Sequence, residues 1–461
     1  MAKSVKGRDL LTAVTPAARL DPRFVYLRDS LQEEPARHMI REAFGVFEDP
    51  DGNFIEQFQT TAFDARTFEL YLYTYFSRSG YAISRSQPNP DFIVSSGGVS
   101  CAVEATTANP RPGEKIVPIH KRRELSPEET RQRIEHELPI RFGSPLFSKL
   151  KRKYWELPHC SGLPFVIAVE AFHDADSLFF SDAPLADYLY GLKSFPRWTE
   201  AGDLYVEHTE IKRHIHGEKV IPSHFFGYPG TEHISGILFS NSGTIPKFNR
   251  MGYQAGYHRG NVLMVRRGTA FNHDRNSALP HKFQYDLDFP PVEETWGQGL
   301  VFSHNPKALH PLPRHFFREA TALYYEDGTL PADVPATFVP LSSITIISSP
   351  EDDSELEPDK EARPGIRSIL LAEFKSLKPP RESRTTIISQ EKEWYSSDDG
   401  AIVGTVVQDL EDKDYFYVLM HRNKVGVIET DDVSNFHEDR LEMRRRLLDA
   451  MDLALADAQK I

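Results

Sequence analysis

The 461-residue chain carries 40% hydrophobic and 11% aromatic side chains, enough to bury the cores of about two to four domains. Its net charge of −13 excludes a protein that coats nucleic acid over its whole surface and leaves room only for local basic grooves. Apolar runs such as 164–169, 235–239 and 343–347 are of strand length, far short of the roughly 20 residues that cross a bilayer, so no membrane span is expected. Cys101 and Cys160 are the only cysteines, too few for a disulfide scaffold or a four-thiolate zinc site. No apolar stretch or small-residue cleavage site follows Lys3, Lys6 and Arg8; no secretory signal is expected, and the chain is assigned to the cytoplasm.

In chain order, residues 1–59 read as a polar N-terminal arm. Residues 60–180 read as an α/β core. Phe68, Leu72, Tyr75 and Phe76 recur at helical spacing, which predicts a helix over 64–78 that ends at Ser79-Gly80. Three strands follow at 81–84, 91–94 and 99–106, separated by Pro88, Pro90 and Gly97-Gly98; the diglycine predicts a hairpin. Charged helical patterns at 127–137 and 146–156 come next. The continuous apolar run 164–171 then reads as a buried strand. The order is α-β-β-β-α-β, with the two charged helices counted as one layer.

Residues 181–348 hold strand-like runs at 234–240, 261–266 and 338–347, read as a sheet extension or an accessory lobe. The stretch 349–364, with Glu351-Asp352-Asp353 and three prolines, has almost nothing to bury and is expected to be an acidic linker. Residues 365–461 read as a small α+β domain: strands at 404–407, 416–420 and 425–428, then a helix over 435–458. Trp394 and Tyr395 are expected to be core aromatics.

Hard cations such as Mg²⁺ take carboxylate oxygens and waters, so metal-assisted hydrolysis needs at least two neighbouring acids. Asp91 begins one strand and Glu104 sits in the next, and a hairpin through Gly97-Gly98 brings them side by side. Strand alternation turns Glu104 and Thr106 to one face. Glu69 is a third acid of interest on a helix that otherwise buries apolar residues; it calls for a cation, either Arg66 three residues earlier or a metal. His214-x-His216 with His224 reads as structural or solvated rather than metal-binding. The segment 170–176 follows the buried strand and is expected to border the site. Ser240-Asn241-Ser242-Gly243 reads as a turn, and no P-loop or dinucleotide fingerprint is present.

The run Phe63–Gly80, then Pro90-Asp91-Phe92-Ile93-Val94, then Val103-Glu104-Ala105-Thr106 resembles the PD-(D/E)xK superfamily of restriction and repair nucleases over about a quarter of the chain. The resemblance implies a restriction-endonuclease-like mixed sheet flanked by helices. It also implies a Mg²⁺ ion, or Mn²⁺, held by Asp91 and Glu104 and assisted by Glu69. Thr106 stands where the family has a Lys and cannot supply its charge. Some members recruit that Lys from a neighbouring element, and Lys149 and Lys153, four apart on the helix before residue 164, are the candidates; Lys115 ranks below them. The expectation is therefore a Mg²⁺-dependent endonuclease acting on nucleic acid, DNA first, in restriction or phage defence, with a homo-oligomer or a defence-system partner open. The alternative is a nuclease-fold binding or scaffolding protein that lost catalysis with the motif Lys.

Overall fold

A computed structural model describes residues 9–110, 125–174, 177–257, 262–348, 366–368, 389–397, 402–409, 415–422, 428–433 and 440–458. The chain divides into two compact units, one of residues 1–257, 266–283 and 290–345, the other of residues 258–265, 284–289 and 346–461.

Where a polar arm is expected, the described residues of the first unit form helices. These are α1 (Pro22–Asp29), α2 (Glu34–Gly45) and α3 (Phe54–Gln59). Asp21 caps α1 by accepting the Arg23 N–H, and Pro22 takes the first helical position, where its missing N–H is not needed. Phe24, Leu27, Ile40, Phe44, Phe54 and Phe58 join one core with Phe68, Leu72 and Phe76 of α4 (Phe63–Arg78). Each such side chain contributes about 1.5–3 kcal/mol when fully buried.

That core covers one face of an eight-stranded mixed sheet. Its strands are β1 (Ala82–Ser84), β2 (Phe92–Ser96), β3 (Val99–Ala108), β4 (Phe165–Ala171), β5 (Gly236–Ser240), β6 (Val301–His304), β7 (Thr321–Leu323) and β8 (Ala332–Asp333), and they neighbour one another in chain order. The β1–β2–β3 pairings are antiparallel, β3–β4 and β4–β5 are parallel, β5–β6 is antiparallel, β6–β7 is parallel and β7–β8 is antiparallel. Strand β4 has a partner on each side and a helix layer on each face. Every residue of it is buried, which is why its sequence is an unbroken apolar run rather than an alternation.

The other face is covered by helices that the sequence divides in two and the structure joins. Ser126 and Glu129 form a capping box at the start of α5 (Pro127–Gln132). A π-turn over Arg133–Glu137 then leads straight into α6 (Leu138–Arg152). Pro139 lies in the first turn of α6 and Pro145 lies inside it, so neither ends the helix. Lys153 does, at φ 52°, four residues short of the expected end. Helix α7 (Ala183–Tyr190) packs on the same face, and α8 (Ile245–Gln254) follows β5 and joins the core under the first face. Two short ribbons, Leu192–Trp198 with Leu204–Glu210 and Arg213–His216 with Lys219–Pro222, lie outside the sheet. So do the strands Leu263–Ala270, His281–Asp286 and Pro340–Ser348.

The second unit is a five-stranded antiparallel sheet with a helix against it. The strands Ile366–Ser368, Ser389–Ser397, Ile402–Asp409, Tyr415–Arg422 and Ile428–Val433 pair in chain order. Helix α9 (Arg440–Ala458) lays Met443, Leu447, Leu448 and Met451 on Tyr395, Ile402, Val406 and Leu419. A Cβ at Gly404 would come within 2.5 Å of Leu447, so the helix can approach this closely only over a glycine. The expected linker at 349–364 lies outside the described residues. Among the described residues no helix is long and apolar enough to cross a membrane.

Candidate functional site

Register decides where the acids fall. In the β2–β3 hairpin Gly97 and Gly98 have φ of 58° and 80°, the left-handed pair that a tight two-residue turn requires. The turn sets Phe92 opposite Val103 and Ile93 opposite Ala102, so Asp91 and Glu104, one step further along, face each other. Phe92, Val94, Cys101 and Val103 enter the core shared with α4, whereas Ala102 and Ala108 enter the core shared with α6. Glu104 has the parity of the second set and therefore points toward α6.

Backbone amides join the two acids. The Asp91 N–H donates to Glu104 Oε2 at 3.1 Å, and the Ala105 N–H donates to Asp91 Oδ2 at 2.8 Å. Helix α6 supplies the cation. Its Leu138, Phe142, Leu146 and Leu150 recur at helical spacing and bury against the sheet, which leaves Lys149 at the edge of that stripe with Nζ 2.5 Å from Glu104 Oε1.

Burial pushes the Asp91 carboxyl well above the usual carboxylate range, and the charges of Glu104 and then Glu69 push the same way; Lys149 and the Ala105 N–H oppose them. Burial works against the Lys149 ammonium, but Glu104, and after it Asp91, more than offset that and hold its pKa above the ordinary value. These contacts favour the charged form of Lys149. Nearby, burial and then Glu104 raise the Tyr154 hydroxyl, and the same two causes take the Cys160 thiol to about 11, so Cys160 is no nucleophile at neutral pH.

Glu69 is on the opposite face, on α4, and is already matched. Arg66 donates to its Oε2, and Arg85 donates to its Oε1 at 2.5 Å. Arg85 is sandwiched between the rings of Phe47 and Phe92, 4.2 and 4.7 Å from their centroids, and its Nε donates to the Glu48 carbonyl. Glu69 thus sits in an ion cluster with Arg66 and Arg85, and its charge acts on Asp91. Thr106 shares the face of Glu104 and is half-buried. Lys153 does not come to the pair: its left-handed backbone ends α6 and its Nζ meets Glu156 at 3.1 Å, both side chains mostly exposed. Lys115 lies outside the described residues.

The His214 ring is buried, with Nδ1 2.7 Å from the Glu135 carbonyl and Nε2 3.0 Å from Ser223 Oγ, while His216 and His224 are exposed. Glu170 is fully buried on the α4 face, and the Gly243 N–H donates to both of its oxygens at 2.9 and 3.0 Å. Burial raises its pKa well above the ordinary value. A further buried cluster gathers Lys247, Arg250 and Arg266 on Glu294, at 2.6, 2.8 and 3.3 Å. Sequence reasoning missed Arg85, Tyr154 and His159, whose Nε2 is 2.7 Å from the Asn89 carbonyl just ahead of Asp91. Arg85 and His159 come from loop and turn segments, where no periodicity marks them, and Tyr154 opens the short 3-10 helix after α6.

The donor set fits a hard divalent cation: two carboxylates on adjacent strands, with Asp91 Oδ1 free of hydrogen bonds among the described residues. Asp91 and Glu104 are the residues that could hold one. Among the described residues no group of three or more His, Cys, Asp or Glu is arranged to hold a metal, so water and substrate oxygens would fill the rest of the shell. No family model, characterised protein or solved structure matches this chain.

Proposed function

We propose that this chain is a metal-dependent phosphodiester hydrolase acting on nucleic acid, DNA first, built on a variant of the restriction-endonuclease-like fold. The observation that carries the reading is the Asp91–Glu104–Lys149 group: two hydrogen-bonded acids on a hairpin and one lysine from a separate helix. By analogy of fold, a role in restriction or phage defence is the setting to examine first.

Asp91 and Glu104 would hold the cation, which when bound supplies a Lewis acid for the phosphate and an acidified water. The remaining work falls to the chain. The buried strands β3 and β4 exclude solvent from behind Glu104, which strengthens every charge interaction at the pair. The amides of Asp91 and Ala105 fix both carboxylates before substrate arrives. Lys149 brings the positive charge that Thr106 lacks, where it can stabilise charge developing on a phosphate oxygen.

The test is to incubate the purified protein with plasmid, linear duplex, single-stranded DNA and RNA, each with Mg²⁺, Mn²⁺ or chelator, beside Asp91→Ala and Glu104→Ala. Cleavage that needs both metal and these acids is the expected result. Cleavage that survives in both variants would sink the reading. Salt-sensitive binding with no cleavage under any condition would favour a catalytically inactive nucleic-acid-binding protein.

A further inference from the structure

Each oxygen of Glu104 accepts a hydrogen bond from within the chain. Oε1 accepts from the Lys149 ammonium and Oε2 from the Asp91 amide. The Glu104 side chain is 4% exposed and is held at both oxygens, so a cation would have to bind beside the ammonium. An ammonium 2.5 Å from a ligand oxygen repels a divalent ion bound to that oxygen. Lys149 is the one member of the group able to leave: its side chain is 22% exposed and ends a flexible four-carbon stem. The anion best placed to receive it outside is the phosphate of the substrate itself.

Resting on the reading of Asp91–Glu104 as a metal centre, we infer that Lys149 is a latch: it holds Glu104, must move off for a cation to bind there, and is drawn off by a backbone phosphate of the nucleic acid. Metal and substrate then bind cooperatively, and by linkage each raises the affinity of the other by the same factor. Thr106, at the usual place of the motif Lys, could not act in this way, since it carries no charge.

The experiment is a Mn²⁺ titration of the full chain by calorimetry, without nucleic acid, for wild type, Lys149→Met, Lys149→Arg and Glu104→Gln. Lys149→Met should bind Mn²⁺ about tenfold tighter than wild type, Lys149→Arg, which keeps the charge, as weakly as wild type, and Glu104→Gln hardly at all. If Lys149→Met fails to fold, Lys149→Gln replaces it with the same expectation. Lys149→Met binding no tighter than wild type, while Glu104→Gln loses the ion, overturns the latch and leaves the metal centre standing. Glu104→Gln binding like wild type overturns the metal centre and the latch together. In a second measurement, fluorescence anisotropy of a short labelled duplex, Ca²⁺ should tighten binding more for wild type than for Lys149→Met. Equal tightening overturns the claim that substrate draws Lys149 away.

Discussion

Within the first unit, two kinds of buried acid differ in how fully they are matched by cations. Glu69 receives two guanidiniums, from Arg66 and Arg85. Glu294 receives Lys247, Arg250 and Arg266. At Asp91 and Glu104 the proportion is reversed, two acids to one lysine. Removing a charge from water costs several kcal/mol unless it is paired, and the chain meets that cost fully at the first two places and only partly at the third. Unmatched negative charge with a route to solvent is what a divalent cation requires, and it separates a candidate site from a structural cluster more sharply than burial does, because all four acids are largely enclosed.

The sharpest way to break this contrast is on the matched side. Glu69→Ala leaves Arg66 and the buried Arg85 without their carboxylate and should cost about 3–5 kcal/mol in denaturant unfolding. The metal dependence of any cleavage by the surviving folded protein should stay as in wild type. A stable Glu69→Ala protein that has lost metal binding would mean that Glu69 belongs to the site after all.

On the unmatched side the effects should invert. Glu104→Gln should lower metal-dependent cleavage by at least about 100-fold, equivalent to about 2.7 kcal/mol, while its melting temperature falls little or rises. Asp91 adds a pH signature. Its folded pKa is raised above 3.8 by burial, Glu104 and Glu69, so the folded state keeps a proton that the unfolded state has lost. Stability falls as pH climbs from 3.8 through the raised value. Asp91→Asn removes that loss, so it should stabilise the protein at neutral pH and not below pH 3.8. A variant destabilised equally at both pH values would refute the assignment of strain to the charge.

The cluster at Glu294 gives a signature of opposite sign. Burial, joined by Arg250 and Arg266 and opposed by Glu294, takes Lys247 from 10.5 down to about 7. The unfolded chain therefore holds a proton that the folded chain has released, and stability rises with pH across the interval from about 7 to 10.5. Lys247→Met should flatten that rise in urea midpoints measured across the interval. The smallest effects belong to the side chains set apart from the pair: Lys153→Ala and Thr106→Val should each change cleavage by less than about twofold, in keeping with exposed or uncharged positions. A large loss in Lys153→Ala would move the catalytic cation away from Lys149.

Much of this arrangement could be read from the amino acids. The hairpin through Gly97-Gly98 is legible because only glycine readily takes two successive left-handed residues, and from that turn the facing of Asp91 and Glu104 follows by register. The buried strand β4 is legible because a strand covered on both faces has no polar side to show. Lys149 and Lys153 could not be told apart, since both sit at helical spacing and the difference lies in one residue's backbone, the left-handed Lys153. The structural role of Glu69 was half visible. Arg66 is a neighbour in sequence, but Arg85 comes from beyond β1 and reaches Glu69 only after the sheet has folded. The N-terminal helices were hidden for a related reason: their apolar residues bury against partners distant in sequence, α4 and, for α2, the helix α8, whose Asn249 accepts the Ala36 N–H.

The most direct measurement is a crystal of the protein soaked in Mn²⁺ and examined for anomalous scattering. The account predicts one strong peak within coordination distance of both Asp91 and Glu104 and none at Glu69. A peak elsewhere in the first unit, or a pair still bridged by Lys149 at saturating Mn²⁺, would contradict it.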